Sequence, residues 1–291
     1  MTTGFGALEI AVEPPARRLR RALKAAGTYI VALLAAAFFV LPLVWIVLSS
    51  LKSEADVSAF PPKLIFAPTA VNYEELFSKL NAGPAMLNSF LIVTISTLLA
   101  MVMGTMAAYA LARFSFKGKE TFALELLSIR MLPAIVSVIP LFIIARSLGV
   151  FDTPWLLIAI YALNGLPFVV WVMRVFIQDV PKSIEEAAMI DGCGRYEIFL
   201  RITLPLVLPG LAAVVVIVFM FSWNEYLFAS MLTSSEAKTL PVLAANAIKP
   251  KAISWGLSSA AAVVMSLPVI LLVLSAQRYL VRGLTLGAVK G

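Results

Sequence analysis

The sequence predicts an all-α integral membrane protein with six transmembrane helices. Three observations carry that expectation: 61% of the residues are hydrophobic against 13% charged, the mean hydropathy is +0.97, and six apolar stretches occur, each near the roughly 20 residues that a helix needs to cross a hydrocarbon core. Soluble domains hold about 45–50% apolar and about 25% charged residues, and disordered chains need few apolar groups and a high net charge. Both classes are excluded. His is absent, which removes imidazole chemistry and His-ligated zinc, and the single Cys193 cannot close an internal disulfide. No catalytic or metal-ligating residue is expected. The net charge of +7 is read as basic cytoplasmic loops rather than as affinity for nucleic acid.

The stretches cover residues 28–48, 87–111, 124–144, 155–177, 204–228 and 257–279. The first follows the basic run Arg17, Arg18, Arg20, Arg21, Lys24 and resembles a secretory signal, with small residues 35–37 in place of a cleavage site. Its apolar length exceeds the roughly 7–15 residues of a signal core, so it reads as a retained span. With the N-terminus inside, fifteen of the 23 basic residues fall in cytoplasmic segments and seven outside, namely Lys52, Lys63, Lys79, Arg146, Lys238, Lys249 and Lys251. Arg130 is left within the third span. Because Lys and Arg accumulate on the cytoplasmic side, both termini are expected there: a basic N-terminus (1–27), a membrane domain (28–280) and a tail (281–291). Residues 49–86, with Pro61, Pro62, Pro68 and Pro84, read as an extracytoplasmic cap, and residues 230–255 as a second outer loop. The phosphate-cradling pattern G-x-x-x-x-G-K-[ST] is not matched, since Gly118-Lys119 lacks the earlier Gly and the following hydroxyl.

The loop joining spans four and five, residues 181–205, reads PKSIEEAAMIDGCGRYEIFLRITLP. Ser183 and Glu186 have the spacing of a capping box, which starts a short helix. Gly192 and Gly194 supply backbone permissive enough to end it. A second short helix over 195–201 follows at an angle, and Pro205 suits the first turn of span five. On periodicity alone the pair could equally lie as an amphipathic hairpin in the lipid interface.

The spacing within this loop is more specific. Glu186-Ala187-Ala188, Gly192 and Ile202-x-Leu204-Pro205 match every fixed position of the E-A-A-x-x-x-G-x9-I-x-L-P loop of bacterial ABC importer permeases, and the sequence resembles that family. The tail from Gln277, the Trp223-Asn224-Glu225 segment and the Ser50-Leu-Lys-Ser53 exit from span one look like its carbohydrate-uptake branch, in particular the smaller permease subunit of maltose-type transporters. The resemblance implies a type I ABC importer permease in a bacterial inner membrane. Its partners would be a second permease of six or more spans, two copies of a cytoplasmic ABC ATPase holding ATP and Mg, and an extracytoplasmic solute-binding protein. This chain itself would hold no cofactor and do no hydrolysis. Cys193 departs from the Ala common in the family after Asp-Gly.

The resemblance further implies that Glu185, Glu186, Ala187, Ala188, Asp191, Gly192, Ile202, Leu204 and Pro205 form a knob seated on the ATPase. Ala187 and Ala188 would allow close approach, Glu186 would offer a carboxylate, and Met189, Ile190 and Phe199 would be exposed apolar groups. Residues 283–291 look too short and Gly-rich for a stable helix, so Leu284, Leu286, Val289 and Lys290 either fray or bind between the ATPase subunits. Charge at bilayer depth costs about 2.5–3.5 kcal/mol on insertion scales, so Arg130 needs an account. It lines a substrate path, pairs with Glu125 or the partner permease, or snorkels. Asn164-Gly165-Leu166-Pro167 either frees backbone carbonyls at a binding site or marks a packing kink, and Trp223, Asn224 and Glu225, near the outer end of span five, either face the cavity or sit at the interface. A secondary transporter or channel is the rival function, and it would be expected to show coupling carboxylates or a repeated half. A membrane enzyme would be expected to show an acidic or His metal cluster.

Overall fold

The computed structural model describes residues 15–246, 248–249 and 252–286. Helix α1 (Pro15–Ser50) opens the chain, and two short helices, α2 (Glu54–Val57) and α3 (Val71–Ser78), lie in the segment expected to be a Pro-punctuated loop. The next elements are α4 (Ala82–Arg113), the pair α5 (Lys119–Ile129) and α6 (Ala134–Ser147), and α7 (Pro154–Asp179). The connecting loop forms α8 (Lys182–Ile190), α9 (Arg195–Ile198), a π-helical turn (Phe199–Thr203) and α10 (Leu204–Leu206). Then come α11 (Leu208–Trp223), α12 (Leu227–Leu232) and α13 (Leu240–Asn246). A two-residue antiparallel pair, β1 (Ile248–Lys249) with β2 (Ala252–Ile253), precedes α14 (Trp255–Leu286).

The all-α expectation holds apart from that small hairpin, and two of the six expected spans are broken. Among the described residues four helices cross singly, α1, α4, α7 and α14. The third and fifth spans are bent pairs, α5 with α6 by 88° and the run Arg195–Leu206 with α11 by 78°. Proline explains both breaks. Pro133 stands just before α6 and Pro209 in the first turn of α11; each lacks an N–H and so cannot extend the hydrogen-bond ladder of the helix before it. Within the fifth span Pro205 stands in the first turn of α10 and Pro209 in that of α11. Pro167 breaks nothing, since α7 is continuous through it.

Small residues set the helix spacing. A Cβ at Gly104 of α4 would meet the Val169 side chain of α7 at 2.6 Å, and one at Gly165 would meet Val218 at 3.2 Å and Ala100 at 3.3 Å. Without a hydrophobic drive between helices in lipid, such close approach is what binds them. Gly165 is thus a packing point for α4, α7 and α11, while its neighbour Asn164 lines a cavity described below. Two apolar cores result. One gathers Leu76, Ile92, Leu157 and Trp223 at the end carrying α2, α3, α12 and α13. The other gathers Met101, Tyr109, Met173 and Phe199 beside the loop that joins α7 to α11. Residue 283 lies inside α14, which runs to Leu286, so the expected break there is absent. A lone Gly costs only about 1 kcal/mol in a long helix.

Candidate functional site

Helix α8 begins two residues earlier than the capping-box reading required. Pro181 occupies the cap position with extended backbone (φ −58°, ψ 128°), no side chain caps the first turn, and Ser183 lies inside the helix. Its far end behaves as expected. Gly192 stands at φ +89°, its N–H donates to the Met189 carbonyl at 3.1 Å, and the Cys193 N–H donates to the Ala188 carbonyl at 3.0 Å. This is a Schellman closure, which needs the left-handed residue that Gly supplies without strain. Gly194, by contrast, is ordinary extended backbone (φ −72°) leading into α9.

Behind the knob lies a buried polar hub. Glu185 and Arg113 pair at 2.8 Å with both side chains 3% exposed. Thr203 Oγ1 donates to the same carboxylate oxygen at 2.7 Å and Tyr109 OH to the other at 3.2 Å. Arg113 Nη2 also donates to the Val180 carbonyl at 2.8 Å. The end of α4, the end of α7, α8 and the π turn thus meet at one carboxylate. The π turn carries Thr203, one of the partners; such turns recur at functional sites. Loss of one member of a buried pair strands the other and costs about 3–5 kcal/mol.

The predicted knob residues divide by exposure. Glu186, Ala187, Asp191, Gly192 and Pro205 are exposed, Ile202 and Leu204 are half-buried, and Glu185 and Ala188 are buried. Glu185 therefore faces inward onto Arg113, not outward. Ile190 is 87% exposed, whereas Phe199, expected on the surface, is buried with its ring 4.9 Å from that of Tyr109. Ile184, Tyr196 and Leu200 join Ile190 as exposed apolar groups. Arg113, Tyr109 and Thr203 were not singled out as partners of Glu185 from the sequence, because nothing in it links Glu185 to positions 72 and 76 residues away or marks Thr203 within the loop.

The five candidate path residues also divide. Arg130, Asn164 and Glu225 line one cavity of about 190 Å³ at the bend between α5 and α6. The Arg130 guanidinium lies 5.8 Å from the Phe168 ring and 5.6 Å from that of Phe221; among the described residues it makes these aromatic contacts and no ion pair with Glu125. Glu225 accepts from Tyr161 OH at 2.8 Å and from the N–H groups of Phe228 and Ala229, at the start of α12. Trp223 lies elsewhere: it is buried in the core, stacked on Phe219, with Nε1 donating to the Met265 carbonyl at 3.0 Å. Asn224 caps α11 and donates to the Met220 carbonyl. Tyr161, Phe168, Phe221 and Ser222 also line the cavity and were not foreseen.

A larger apolar groove of about 1060 Å³ runs between α4, α11 and α14, past Tyr196 and Leu200 of the loop. The Thr97 and Thr105 hydroxyls on its wall are buried and unpartnered. Of the tail candidates, Leu284 and Leu286 belong to the backbone of α14, and Val289 and Lys290 lie outside the described residues.

Residues 100–286 match the family described as binding-protein-dependent transport system inner membrane component. The trehalose transport system permease protein SugB of Mycobacterium tuberculosis (strain CDC 1551 / Oshkosh) is 39% identical over 260 residues, which are 87% of this chain and 93% of that protein. The melibiose/raffinose/stachyose import permease protein MelC of Bacillus subtilis (strain 168) is 35% identical over 91% of this chain and 96% of its own length. Among solved structures, a bacterial ABC transporter involved in the import of the acidic polysaccharide alginate shares the fold, with a TM-score of 0.70 over 92% of this chain and 99% of that one at 22% identity.

Proposed function

This chain belongs to the family of inner membrane components of binding-protein-dependent transport systems, and we propose that within it the chain is the permease subunit of an ATP-driven importer that carries a sugar or sugar-like solute inward. The named relatives transport trehalose and melibiose-type sugars, which supports carbohydrate as the solute class. The observation that carries the mechanism is the hub behind the knob. Exposed Glu186, Ala187, Ile190, Asp191 and Gly192 form the face offered to an ATPase, while Glu185 locks that face to α4 through Arg113. A knob held by a buried ion pair moves with the helix it is tied to, so closure of two ATP-loaded, Mg-dependent ATPase subunits would rock the bundle as rigid bodies. ATP and Mg reside in those partners on this reading.

The cavity at the broken third span is the substrate-facing candidate. Arg130, Asn164, Tyr161, Ser222 and Glu225 offer hydrogen-bond groups, and Phe168 and Phe221 offer ring faces, a combination suited to the polar rim and apolar face of a sugar ring. The apolar groove with its two unpartnered Thr hydroxyls is the seat for the second permease, since buried polar groups at bilayer depth want partners. Both termini face the cytoplasm, as does the knob, and a solute-binding protein docks at the end carrying α2, α3, α12 and α13.

The test is uptake of a labelled sugar panel by liposomes containing the complete complex. The expected result is uptake that requires both ATP and the binding protein. Uptake that follows an ion gradient without ATP would establish the secondary-transporter reading instead.

A further inference from the structure

We propose that residues 60–65 form a lipid anchor that inserts into the boundary between headgroups and acyl chains, in the leaflet at the Ser50 end of α1. Phe60 is 97% exposed, Leu64 70% and Ile65 95%, a cluster of apolar groups at the tip of a loop outside the bundle. Contiguous exposed apolar surface of this kind marks a protein or membrane contact.

Three features favour lipid. The tip is held at membrane level: Lys52, itself buried, donates to the Lys63 carbonyl at 2.7 Å and sits 4.8 Å over the Trp45 ring and 5.0 Å over the Phe66 ring. Trp45 lies five residues before the end of α1, roughly 7.5 Å down its axis, where an interfacial tryptophan belongs. Part of the tip's polar complement is already accounted for within the loop. Pro61 and Pro62 have no N–H, the Lys63 carbonyl is taken by Lys52, and the Lys63 ammonium is paired with Asp56 at 2.6 Å. Finally, the tip continues a surface that already faces outward. None of the apolar window of α1 is buried, and Phe38, Leu41 and Trp45 lead along it towards the loop. Loop and helix together present one apolar rim, as an interfacial segment does.

The experiment uses the full chain carrying Cys193→Ala and Ile65→Cys, labelled with a nitrobenzoxadiazole probe, in nanodiscs of phosphatidylethanolamine and phosphatidylglycerol with or without nitroxide-bearing lipid. The same label at Glu74→Cys, on exposed α3, is the reference. The expected result is blue-shifted emission at residue 65 and quenching by shallow nitroxide lipid about threefold stronger than at residue 74, as burial in the interface requires. Emission equal to the reference with iodide quenching and no lipid quenching overturns the proposal. Shielding that appears only after a second permease or a binding protein is added also overturns it, and assigns the tip to a protein contact.

Discussion

Two carboxylates pin loops at opposite ends of this bundle, and their surroundings differ. Glu185 is enclosed with Arg113, Thr203 and Tyr109, charge against charge, at 3% exposure. Asp152, half-exposed at φ +60°, faces no cation among its partners; it gathers the backbone N–H groups of Ser234, Ser235, Glu236 and Ala237 and the hydroxyls of Ser234 and Ser235. The first arrangement ties three elements rigidly and tolerates no missing partner. The second orders one loop with many small contributions, so it weakens by degrees. On the proposed function, the contrast fits a knob that would carry force at one end and a loop that would only hold its shape at the other.

The largest expected effect follows from stranding a buried charge. Glu185→Ala leaves Arg113 unpaired and should lower the stability of the purified chain by about 3–5 kcal/mol, read as a fall in thermal midpoint in detergent. Glu185→Gln, which keeps hydrogen-bonding capacity, should lose less. Equal losses in the two variants would mean that the ion pair contributes little beyond its hydrogen bonds.

Asp152→Ala should be milder, about 1–2 kcal/mol once solvent exposure is allowed for, with greater proteolysis between residues 233 and 239. Here pH offers a second handle on the loop. Burial pushes the Asp152 carboxyl up, but the hydroxyl and amide of Ser234 and the amides of Ser235 and Ala237 outweigh it and hold it well below the usual 3.8. A depressed carboxyl contributes its stability fully above the ordinary value and loses it as pH falls towards the depressed one. Protection of this loop should therefore weaken in strong acid, and Asp152→Asn should remove that dependence. An unchanged acid profile in Asp152→Asn would place the titration elsewhere.

The smallest effect on stability is at the knob's turn. Nothing lies within 4 Å of a Cβ at Gly192, so Gly192→Ala meets no clash and pays only for left-handed backbone at φ +89°, about 1 kcal/mol. Its transport loss should exceed that small destabilisation if the turn shapes the ATPase-facing surface, whereas transport falling only in step with stability would reduce the turn to a scaffold.

How far all this was legible follows from range in sequence. Membrane class, the apolar stretches and the Gly192 turn are local patterns of composition and spacing, and they survive in the structure. The breaks in spans three and five were not read from the sequence because apolar length hides them, although Pro133 and Pro209 were there to mark them. The inward turn of Glu185 and the burial of Phe199 depend on Arg113 and Tyr109, at the far end of another helix. The cavity that unites Arg130, Asn164 and Glu225 exists because of the 88° bend between α5 and α6, which no periodicity encodes. Trp223, the last residue of α11 and two before Glu225 in the chain, points into the core.

The most direct test of the coupling role sets the exposed knob against the distant clamp. Ile190→Asp, at a position 87% exposed, should leave the chain inserted while abolishing both capture of the ATPase and ATP-driven uptake of labelled sugar by the reconstituted complex; Asp152→Ala should keep the ATPase bound. Wild-type ATPase capture and uptake in Ile190→Asp would contradict the account.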